Sequence, residues 1–248
     1  MKILHLSDLH LEFGEMIVPE SDADVVVLSG DTHIGSASID WAANFNIPTI
    51  VILGNHEFYG AVPIEKVIEE CRAKANLYPN VYFLENSSVL IDGVRFHGCT
   101  FWTDFELYSS PVLSMFAAKS MMNDFKKVTF QNRLFTPEDS VELHRNSREW
   151  LYQSIEHSDT DINVVVTHHL PTEKAIQDTY INSPLSPAFA SNCTEFKNLS
   201  SKITLWLYGH NHDCCEFVEN GILYSTNQRG YAGHDLVDGF DSQKLITI

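Results

Sequence analysis

Residues that can bind divalent metal ions follow five short apolar runs in this 248-residue chain. Asp, Asn and His are poor residues for finishing a buried strand, but hard and borderline divalent ions accept them as ligands. The five segments are Ser7-Asp8-Leu9-His10, Gly30-Asp31, Gly54-Asn55-His56-Glu57, His168-His169 and Gly209-His210-Asn211-His212. One such ending would carry little information, but five in series favour a metal-dependent hydrolase.

The spacing inside these segments favours a shared metal site. Asp8 and His10 are two residues apart, so along an extended chain their side chains point the same way. His210 and His212 have the same spacing. A glycine directly before the ligand in three of the segments allows a sharp turn and a close approach of the backbone to an ion. Two divalent ions about 3.5–4 Å apart would acidify a shared solvent oxygen and stabilise charge on an attacked phosphoryl group.

The apolar runs predict the strands that must position these ligands. Ile3–Leu6, Val25–Leu28 and Ile50–Leu53 are nearly continuous in apolar residues, as expected of strands buried on both faces. Helices are predicted at Ile39–Phe45 and, from helical spacing after a proline, at about 63–71. Further strands are predicted at Val81–Leu84, Ser88–Ile91, Val94–Gly98, Val164–Val166, Ile203–Leu207, Ile222–Tyr224 and Lys244–Ile248. This alternation predicts an α/β protein.

The pattern changes between residues 100 and 158, a stretch rich in Met, Phe and Ser without strand alternation. Helices are predicted at Val112–Met122 and from Thr136, which forms a capping box with Asp139, to about Glu156. The apolar content of this stretch is too small for a core of its own. We therefore predict a single domain, residues 1–248, with a helical insertion beside the site that influences the choice of substrate.

Charge and composition limit the expected partners. The formal net charge is −17, and because an acidic surface repels phosphate backbones, we do not expect nucleic acid as a partner. The five cysteines form no CxxC pair, so neither disulfides nor a zinc-thiolate cluster is indicated. No run approaches the roughly 18 apolar residues of a membrane span, and no secretory signal is recognisable. The cytoplasm is the expected location.

Taken in order, the motifs D-x-H, G-D, G-N-H-[DE], a strand-end His and G-H-x-H resemble those of the calcineurin-like metallophosphoesterase superfamily. A narrower resemblance, to its small stand-alone bacterial and phage members, is carried by the segments 7–12, 102–104, 122–124 and 227–231. The wider resemblance spans Asp8 to His212. It implies an α/β fold, a four-layer α/β/β/α sandwich of two mixed β-sheets, and two divalent metal ions. It implies one ion held by Asp8, His10, Asp31 and His212, and another by Asp31, Asn55, His168 and His210.

The same resemblance implies a catalytic role for His56, which would stabilise the phosphoryl transition state or protonate the leaving oxygen. Glu57 would orient the imidazole of His56. The ligand set suits Mn, Fe, Zn or Ni, and Mn is the ion expected to support activity in vitro. Two departures matter: Gly30–Gly35 lacks the arginine that grips phosphate in phosphoprotein phosphatases, and either His168 or His169 could be the ligand. The strand-end position favours His168.

Other residues are open to two interpretations. His33 is read either as a partner of the ligands or as solvated, and Arg229 either as a phosphate contact or as a structural ion pair. A turn or helix cap is favoured for Asn123-Asp124 over entry into the cleft. Core packing is favoured over substrate stacking for Phe101, Trp102 and Phe105. A structural or solvated role is expected for His5, His97, His144, His157 and His234.

The predicted reaction is hydrolysis of a phosphoester by a metal-bridging hydroxide. A small phosphodiester is the first choice of substrate, because the sequence shows neither an arginine clamp for a doubly charged monoester nor a basic track for a polymer. A phosphomonoesterase or a nucleotide pyrophosphohydrolase is the alternative. A nuclease and a non-catalytic metal-binding scaffold follow.

Overall fold

Fifteen strands and five α-helices make up the computed structural model, which describes residues 1–248. The helices are α1 (Ala37–Ala42), α2 (Ile64–Ala75), α3 (Pro111–Met121), α4 (Asp124–Lys127) and α5 (Pro137–Glu156). The strands are β1 (Lys2–Leu6), β2 (Val25–Ser29), β3 (Thr49–Ile52), β4 (Val81–Phe83), β5 (Ser87–Ile91), β6 (Val94–Cys99), β7 (Thr129–Phe130), β8 (Arg133–Leu134), β9 (Ile162–Thr167), β10 (Ile203–Leu207), β11 (Glu216–Glu219), β12 (Ile222–Ser225), β13 (Gly230–Tyr231), β14 (Asp235–Leu236) and β15 (Leu245–Thr247).

Two large mixed sheets form the centre of the molecule. The five-stranded sheet has the order β15-β1-β2-β3-β4, in which β15 is antiparallel and the other strands are parallel. The six-stranded sheet has the order β11-β12-β10-β9-β6-β5, with antiparallel strands only at its edges. Both sheets therefore have a parallel centre, whose strands end at a common edge.

Three apolar clusters separate the structure into four layers. Along β2, Val25 and Val27 lie in a cluster between the two sheets, whereas Val26 and Leu28 lie in the cluster on the outer side, beneath α1 and α2. The outer face of the six-stranded sheet packs against α5 in the remaining cluster. Successive strand residues point to opposite faces, so a continuous apolar run supplies two clusters at once. The predicted α/β/β/α sandwich is confirmed.

The strand ends bring the ligand segments together. The segments lie directly after β1, β2, β3, β9 and β10. Backbone hydrogen bonds join neighbouring segments: Asp8 N–H donates to Gly30 O at 3.1 Å, and His10 N–H to Asp31 O at 2.9 Å. Within the six-stranded sheet, Gly209 N–H donates to His168 O at 3.0 Å, and across the two sheets His210 N–H donates to Asp8 Oδ1 at 3.1 Å. The loops that carry the ligands are therefore held as one assembly.

Most predicted elements are confirmed, with ends shifted by up to four residues. Asp92 and Gly93, which join β5 and β6 in a two-residue hairpin, both have positive φ, 47° and 83°, as such a turn requires. The stretch 100–158 contains α3 and α5 as predicted, and also α4 and the hairpin β7–β8, whose two-residue strands are too short to show a period. Apolar residues of this stretch pack into both outer clusters. The assignment of one domain stays a prediction.

Two further findings concern the second half of the chain. Residues 173–199 form four short 3₁₀ turns rather than regular elements, and no sequence periodicity indicated them. Cys214 and Cys215 are half-buried and lie just before β11. None of the helices has the length and apolar character that a membrane crossing requires.

The capping box at the start of α5 gives a stability prediction. Thr136 Oγ1 accepts from Asp139 N–H, and the Asp139 carboxylate accepts from Thr136 N–H at 2.8 Å. Thr136→Ala should lower the free energy of unfolding by about 1 kcal/mol, measured by urea denaturation, because a donor at the helix start loses its partner. Thr194→Ala, at an exposed threonine, is the control and should change little. Equal losses in the two variants would contradict this reading of the cap.

Candidate metal centre

Seven side chains predicted to be metal ligands converge at the common strand edge. Donor atoms within 4.8 Å of one another form three groups: Asp8, His10 and His212; His10, Asp31 and His56; and Asp31, His168 and His210. Six of the seven predicted ligands are buried, and His212 is half-buried. The first and third groups correspond to the two ligand sets implied by the family resemblance.

Asp31 lies between the two ligand sets. Its Oδ2 is 3.7 Å from His10 Nε2 and 3.5 Å from His168 Nε2, so one oxygen faces an imidazole of each set. Its Oδ1 accepts from the backbone N–H of His56 at 2.8 Å, which fixes the orientation of the carboxylate. This is the position that a bridging ligand needs.

Distances between donor atoms fit shared metal ions. His10 Nε2 and His212 Nε2 are 3.1 Å apart, and His168 Nε2 is 3.2 Å from His210 Nδ1 and 3.1 Å from Asn55 Oδ1. Atoms that coordinate one ion at about 2.0–2.2 Å lie at roughly this spacing from each other. The other ring nitrogen of His210, Nε2, is buried without a protein partner. The residues present therefore fit two divalent ions.

The charges of the centre also favour cations. Burial acts to raise the pKa of Asp31, but the adjacent His168 holds it well below its ordinary value. Burial opposes charge on His168, yet Asp31 and Asp8 raise the pKa of its imidazole to about 10. Burial and the neighbouring His169 lower the pKa of His210. Without metal, a proton on His168 balances the carboxylates where a cation would otherwise do so.

The backbone at the ligands is strained. Asp8, His10, Asp31, His210 and His212 have φ of 49°, 45°, 51°, 80° and 51°. Residues other than glycine rarely adopt positive φ, and such strain concentrates at functional sites. The chain is therefore not extended at the D-x-H and H-x-H motifs, and our argument from extended spacing was wrong. Left-handed residues two positions apart, rather than an extended strand, aim the side chains at one place.

Close packing explains two of the glycines. A Cβ at Gly54 would lie 2.1 Å from Asp31 Oδ1, and one at Gly209 would lie 2.5 Å from Asp8 Oδ2. Both distances are far below a possible contact, so a side chain at either position would displace a ligand carboxylate. The glycines are needed for close approach.

His168, not His169, lies at the centre. His168 Nδ1 contacts Ser29 O at 2.9 Å, which directs Nε2 towards Asp31 and Asn55. His169 is buried behind the centre, where its Nδ1 contacts Thr100 O at 3.2 Å. This geometry supports the strand-end choice of His168, and the His169 ring packs against the ring of His210, with centroids 4.2 Å apart.

His56 is oriented by Glu12 rather than by Glu57. His56 Nδ1 contacts Glu12 Oε1 at 3.0 Å, and the same oxygen contacts His10 Nδ1 at 3.2 Å. The role expected for Glu57 is therefore wrong. Glu12 follows His10 by two residues, a spacing that could have drawn attention to it. The opposite nitrogen of His56, Nε2, lies 3.3 Å from the hydroxyl of Tyr231.

Glu57 instead holds the ligand loops together. Its buried carboxylate accepts from the backbone N–H groups of Asp31, Thr32 and Gly54 at 2.8–3.0 Å. Burial and the nearby Asp31 raise the pKa of Glu57 to about 8, against the effect of these donors. Glu57 thus joins the loops after β2 and β3, and acts on the centre through the backbone.

Asp124 enters the cleft and orients Asn55. Its Oδ1 accepts from Asn55 Nδ2 at 2.8 Å and from the Tyr59 hydroxyl at 2.6 Å, and it is buried. Because the amide nitrogen is engaged, Asn55 Oδ1 turns towards His168. The favoured interpretation of Asn123-Asp124 as a turn or cap holds for Asn123, which takes the N-cap position of α4, but Asp124 also enters the cleft. The pairing joins residues 69 positions apart, which no local pattern could reveal.

Two other residues with open interpretations have structural roles. Arg229 donates to the carbonyls of Leu9, Gly14 and Glu15 at 2.8–3.1 Å, so it clamps the loop after β1 rather than forming an ion pair. His33 Nδ1 accepts from the backbone N–H of Ile34 at 2.7 Å, which is a local contact away from the ligands. The core positions expected for Phe101, Trp102 and Phe105 are confirmed by their burial.

A cleft crosses the centre and widens into a chamber at each end. The cleft, lined by Asp31, His56, Asp124, His210 and Tyr231 among others, opens towards both sides. We call one end the His56 chamber; it is lined by Glu12, Phe13, Ile34, His56, Tyr59, Asn123, Lys127, Tyr231 and His234. We call the other the apolar chamber; it is lined by Leu170, Ile176, Gln177, Tyr180, Ser183, Leu185, Ser186, Phe189, His210, Asn211, His212, Tyr231 and Asp235.

The four-layer fold and the converging ligands define a class of metal-dependent phosphoester hydrolases. Residues 1–214 match the calcineurin-like phosphoesterase family, and the chain belongs to this family. Membership implies a dinuclear centre of divalent metal ions, to which the His and Asp groups correspond. The family expected from the sequence motifs is confirmed.

Individual relatives are distant. Uncharacterized protein L509 of Acanthamoeba polyphaga mimivirus is 28% identical over 269 residues, 94% of this chain and 92% of that protein. The phosphopantetheinyl hydrolase PptH of Mycobacterium tuberculosis has a TM-score of 0.71 at 17% identity, over 93% of this chain and 89% of that one. A putative 5′-nucleotidase of Staphylococcus aureus has a TM-score of 0.52 at 13% identity, over 91% of this chain and 48% of that one. The two structures show the same fold.

The contact between Glu12 and His56 leads to the first prediction about the site. Glu12→Ala should lower kcat for a phosphoester substrate about 10- to 100-fold, because both His56 and His10 lose the oxygen that orients them. Glu12→Gln should retain most activity, since an amide oxygen still accepts from a ring N–H. Glu15→Ala, an exposed acid on the same loop, is the control. Steady-state kinetics with saturating Mn²⁺ measure the effect, and equal rates for Glu12→Ala and the wild type would contradict it.

The second prediction concerns Asp124. Asp124→Ala should weaken binding of one of two Mn²⁺ ions about 10- to 100-fold, because the Asn55 amide can then rotate away from His168. Isothermal titration calorimetry of metal-free protein measures both affinities. Asp161→Ala, which removes an exposed acid, provides the comparison and should bind both ions as the wild type does. Unchanged affinities in Asp124→Ala would show that Asn55 needs no partner.

Proposed function

We propose that this protein hydrolyses a small phosphodiester at the centre around Asp31. The observation that carries the proposal is the position of one carboxylate oxygen of Asp31 between His10 and His168, with the other predicted ligands on either side. This is the ligand arrangement that a two-metal hydrolytic centre requires. The acidic surface gives no reason to propose an extended nucleic acid as substrate.

The ligand sets are those that the family resemblance implies. One ion would be held by Asp8, His10, Asp31 and His212, and the other by Asp31, Asn55, His168 and His210. When bound, the two ions supply positive charge to the phosphoryl oxygens and activate water. The mixture of imidazole and oxygen donors without thiolate suits Mn, Fe, Zn or Ni, and we propose Mn as the supporting ion in vitro. The cytoplasm remains the expected location.

His56 is the proposed proton donor. It borders both the cleft and the His56 chamber, with Nδ1 held by Glu12 and Nε2 beside Tyr231. Burial opposes protonation of this imidazole, but Asp31 and Glu12 raise its pKa above the ordinary value. In the reaction, a water oxygen adds to phosphorus and gives up a proton to solvent, the bond to the leaving oxygen breaks, and that oxygen takes a proton from His56, which solvent then reprotonates.

The shape of the cleft favours a diester over a monoester. A diester carries a group on each side of the phosphorus, and a chamber lies on each side of the centre. The residues that line the cleft and both chambers include a single cationic side chain, Lys127, and no arginine. A doubly charged terminal phosphate would therefore lack the bidentate partner that commonly binds it.

Phosphomonoester hydrolysis is the second candidate. Lys127 favours it, because this residue lines the His56 chamber and its Nζ lies 5.2 Å from the centre of the Tyr59 ring. A flexible ammonium at this place could approach an additional negative charge. The comparison with the putative 5′-nucleotidase also brings this class of substrate into consideration.

The assay that tests the function compares two aryl esters. With Mn²⁺ added, the purified protein should hydrolyse bis(4-nitrophenyl) phosphate with a higher kcat/KM than 4-nitrophenyl phosphate, followed by release of nitrophenolate. Asp31→Ala should abolish hydrolysis, because both ions lose a ligand, and His56→Ala should lower kcat about 10²- to 10⁴-fold. A higher kcat/KM for the monoester would instead favour the second candidate.

His157→Ala is the matched control, since it removes an exposed histidine outside the cleft. It should hydrolyse the diester at the wild-type rate. Circular dichroism of each variant establishes that loss of activity is not loss of fold. Full activity in folded Asp31→Ala and His56→Ala would refute the proposed mechanism.

A further inference from the structure

The apolar chamber differs in chemistry from the cleft that it adjoins. It has a volume of about 350 Å³, which is within the range of small-molecule sites. Leu170 and Ile176 are buried in its wall, and Tyr180, Leu185 and Phe189 add further apolar surface. It shares Phe189, His210, His212 and Tyr231 with the cleft, so a group inside it is adjacent to the centre.

The polar side chains of the chamber are mostly engaged with the protein itself. Gln177 Nε2 donates to the carbonyls of Asn211 and His212 at 3.3 and 3.1 Å, and Asn211 Nδ2 donates to Ala175 O at 2.9 Å. Ser186 Oγ donates to Tyr180 O at 2.6 Å. A ligand in the chamber therefore meets few free donors, and its binding depends mainly on apolar contact.

The charges that line the apolar chamber are unfavourable for anionic groups. None of its lining residues is a lysine or arginine, and the only carboxylate among them is that of Asp235. A second phosphate or a carboxylate on the substrate would have no cation to pair with and would be repelled by Asp235. An uncharged group suffers neither penalty.

The wall is held in place by backbone hydrogen bonds. Leu170 N–H donates to Phe189 O and Ser191 N–H to Leu170 O, each at 3.0 Å, which ties the two ends of the 170–191 segment together. Gln177 joins the same segment to the loop that carries His210 and His212. The chamber is therefore a shaped part of the site rather than a gap beneath a loose loop.

We propose that the apolar chamber binds the uncharged, apolar ester group that stays on phosphorus during hydrolysis. The inference rests on the proposed function and specifies its substrate class as phosphodiesters with one apolar arm. The leaving group lies in the His56 chamber, next to the imidazole that protonates it. The products are an alcohol and a phosphate monoester that keeps the apolar arm.

Substrates with a constant leaving group test the chamber. Methyl, butyl and hexyl 4-nitrophenyl phosphates differ only in the retained arm, and kcat/KM with Mn²⁺ should rise about two- to fourfold for each of the first methylenes added. A carboxyethyl 4-nitrophenyl phosphate should be a poorer substrate than the butyl ester, because its charge meets Asp235. Equal kcat/KM for all arms, or a preference for the charged arm, would overturn the inference.

A substitution that fills the apolar chamber provides a second test of the same inference. Ser183 lines it, so Ser183→Trp should reduce the ratio of kcat/KM for hexyl over methyl to near one. Ile181→Trp places the same side chain at an exposed neighbour that does not line the chamber, and should keep the wild-type ratio. An unchanged ratio in folded Ser183→Trp would also overturn the inference.

A binding measurement separates failure of the inference from failure of the proposed function. Calorimetry should show that hexyl phosphate binds the Mn²⁺-loaded protein at least about 10-fold more tightly than methyl phosphate, whether or not the protein turns over diesters. Tighter binding without hydrolysis would support the chamber and contradict the proposed reaction. Hydrolysis with equal affinity for the two phosphates would contradict the chamber alone.

Discussion

The constraint on which the site depends is the burial of the Asp31 carboxylate among imidazoles and other acids. A buried charge is costly unless it is paired, and Asp31 has no lysine or arginine partner. Its neighbours His10 and His168 offer ring nitrogens in its direction instead. This arrangement is favourable only when positive charge lies between the groups, so metal binding and local stability are expected to be coupled.

Holding the ligands in this arrangement requires a strained backbone and buried supports. Five of the candidate ligands have positive φ, which the surrounding structure must stabilise. Glu57 joins two ligand loops through three backbone N–H groups, and Arg229 holds the loop after β1 through three carbonyls. Glu12 and Asp124 orient individual side chains. The reactive groups are thus fixed by residues that do not themselves belong to the ligand sets.

The substrate choice that we propose depends on parts of the chain that carry no recognisable motif. The stretch 100–158, which we expected to influence it, supplies Asp124 and the neighbouring residues 121–123 to the cleft. The apolar chamber is instead formed mainly by residues 170–189, an irregular segment between β9 and β10. In α/β enzymes, a rigid sheet edge commonly carries the catalytic groups, and variable loops determine the selectivity.

The sequence by itself determined the strands, the family and the candidate ligands, because buried parallel strands are continuous apolar runs and the ligands directly follow them. The segment Gly54-Asn55-His56 is one example, because it can be recognised from the local sequence that follows a strand. Only the tertiary structure assigned Glu12 to His56, Asp124 to Asn55 and Glu57 to the backbone. These partners are decided by contacts between loops distant in sequence, where no periodicity applies. The apolar chamber could likewise be recognised only in the tertiary structure. Its wall packs against the ligand loop through hydrogen bonds that no local sequence pattern encodes.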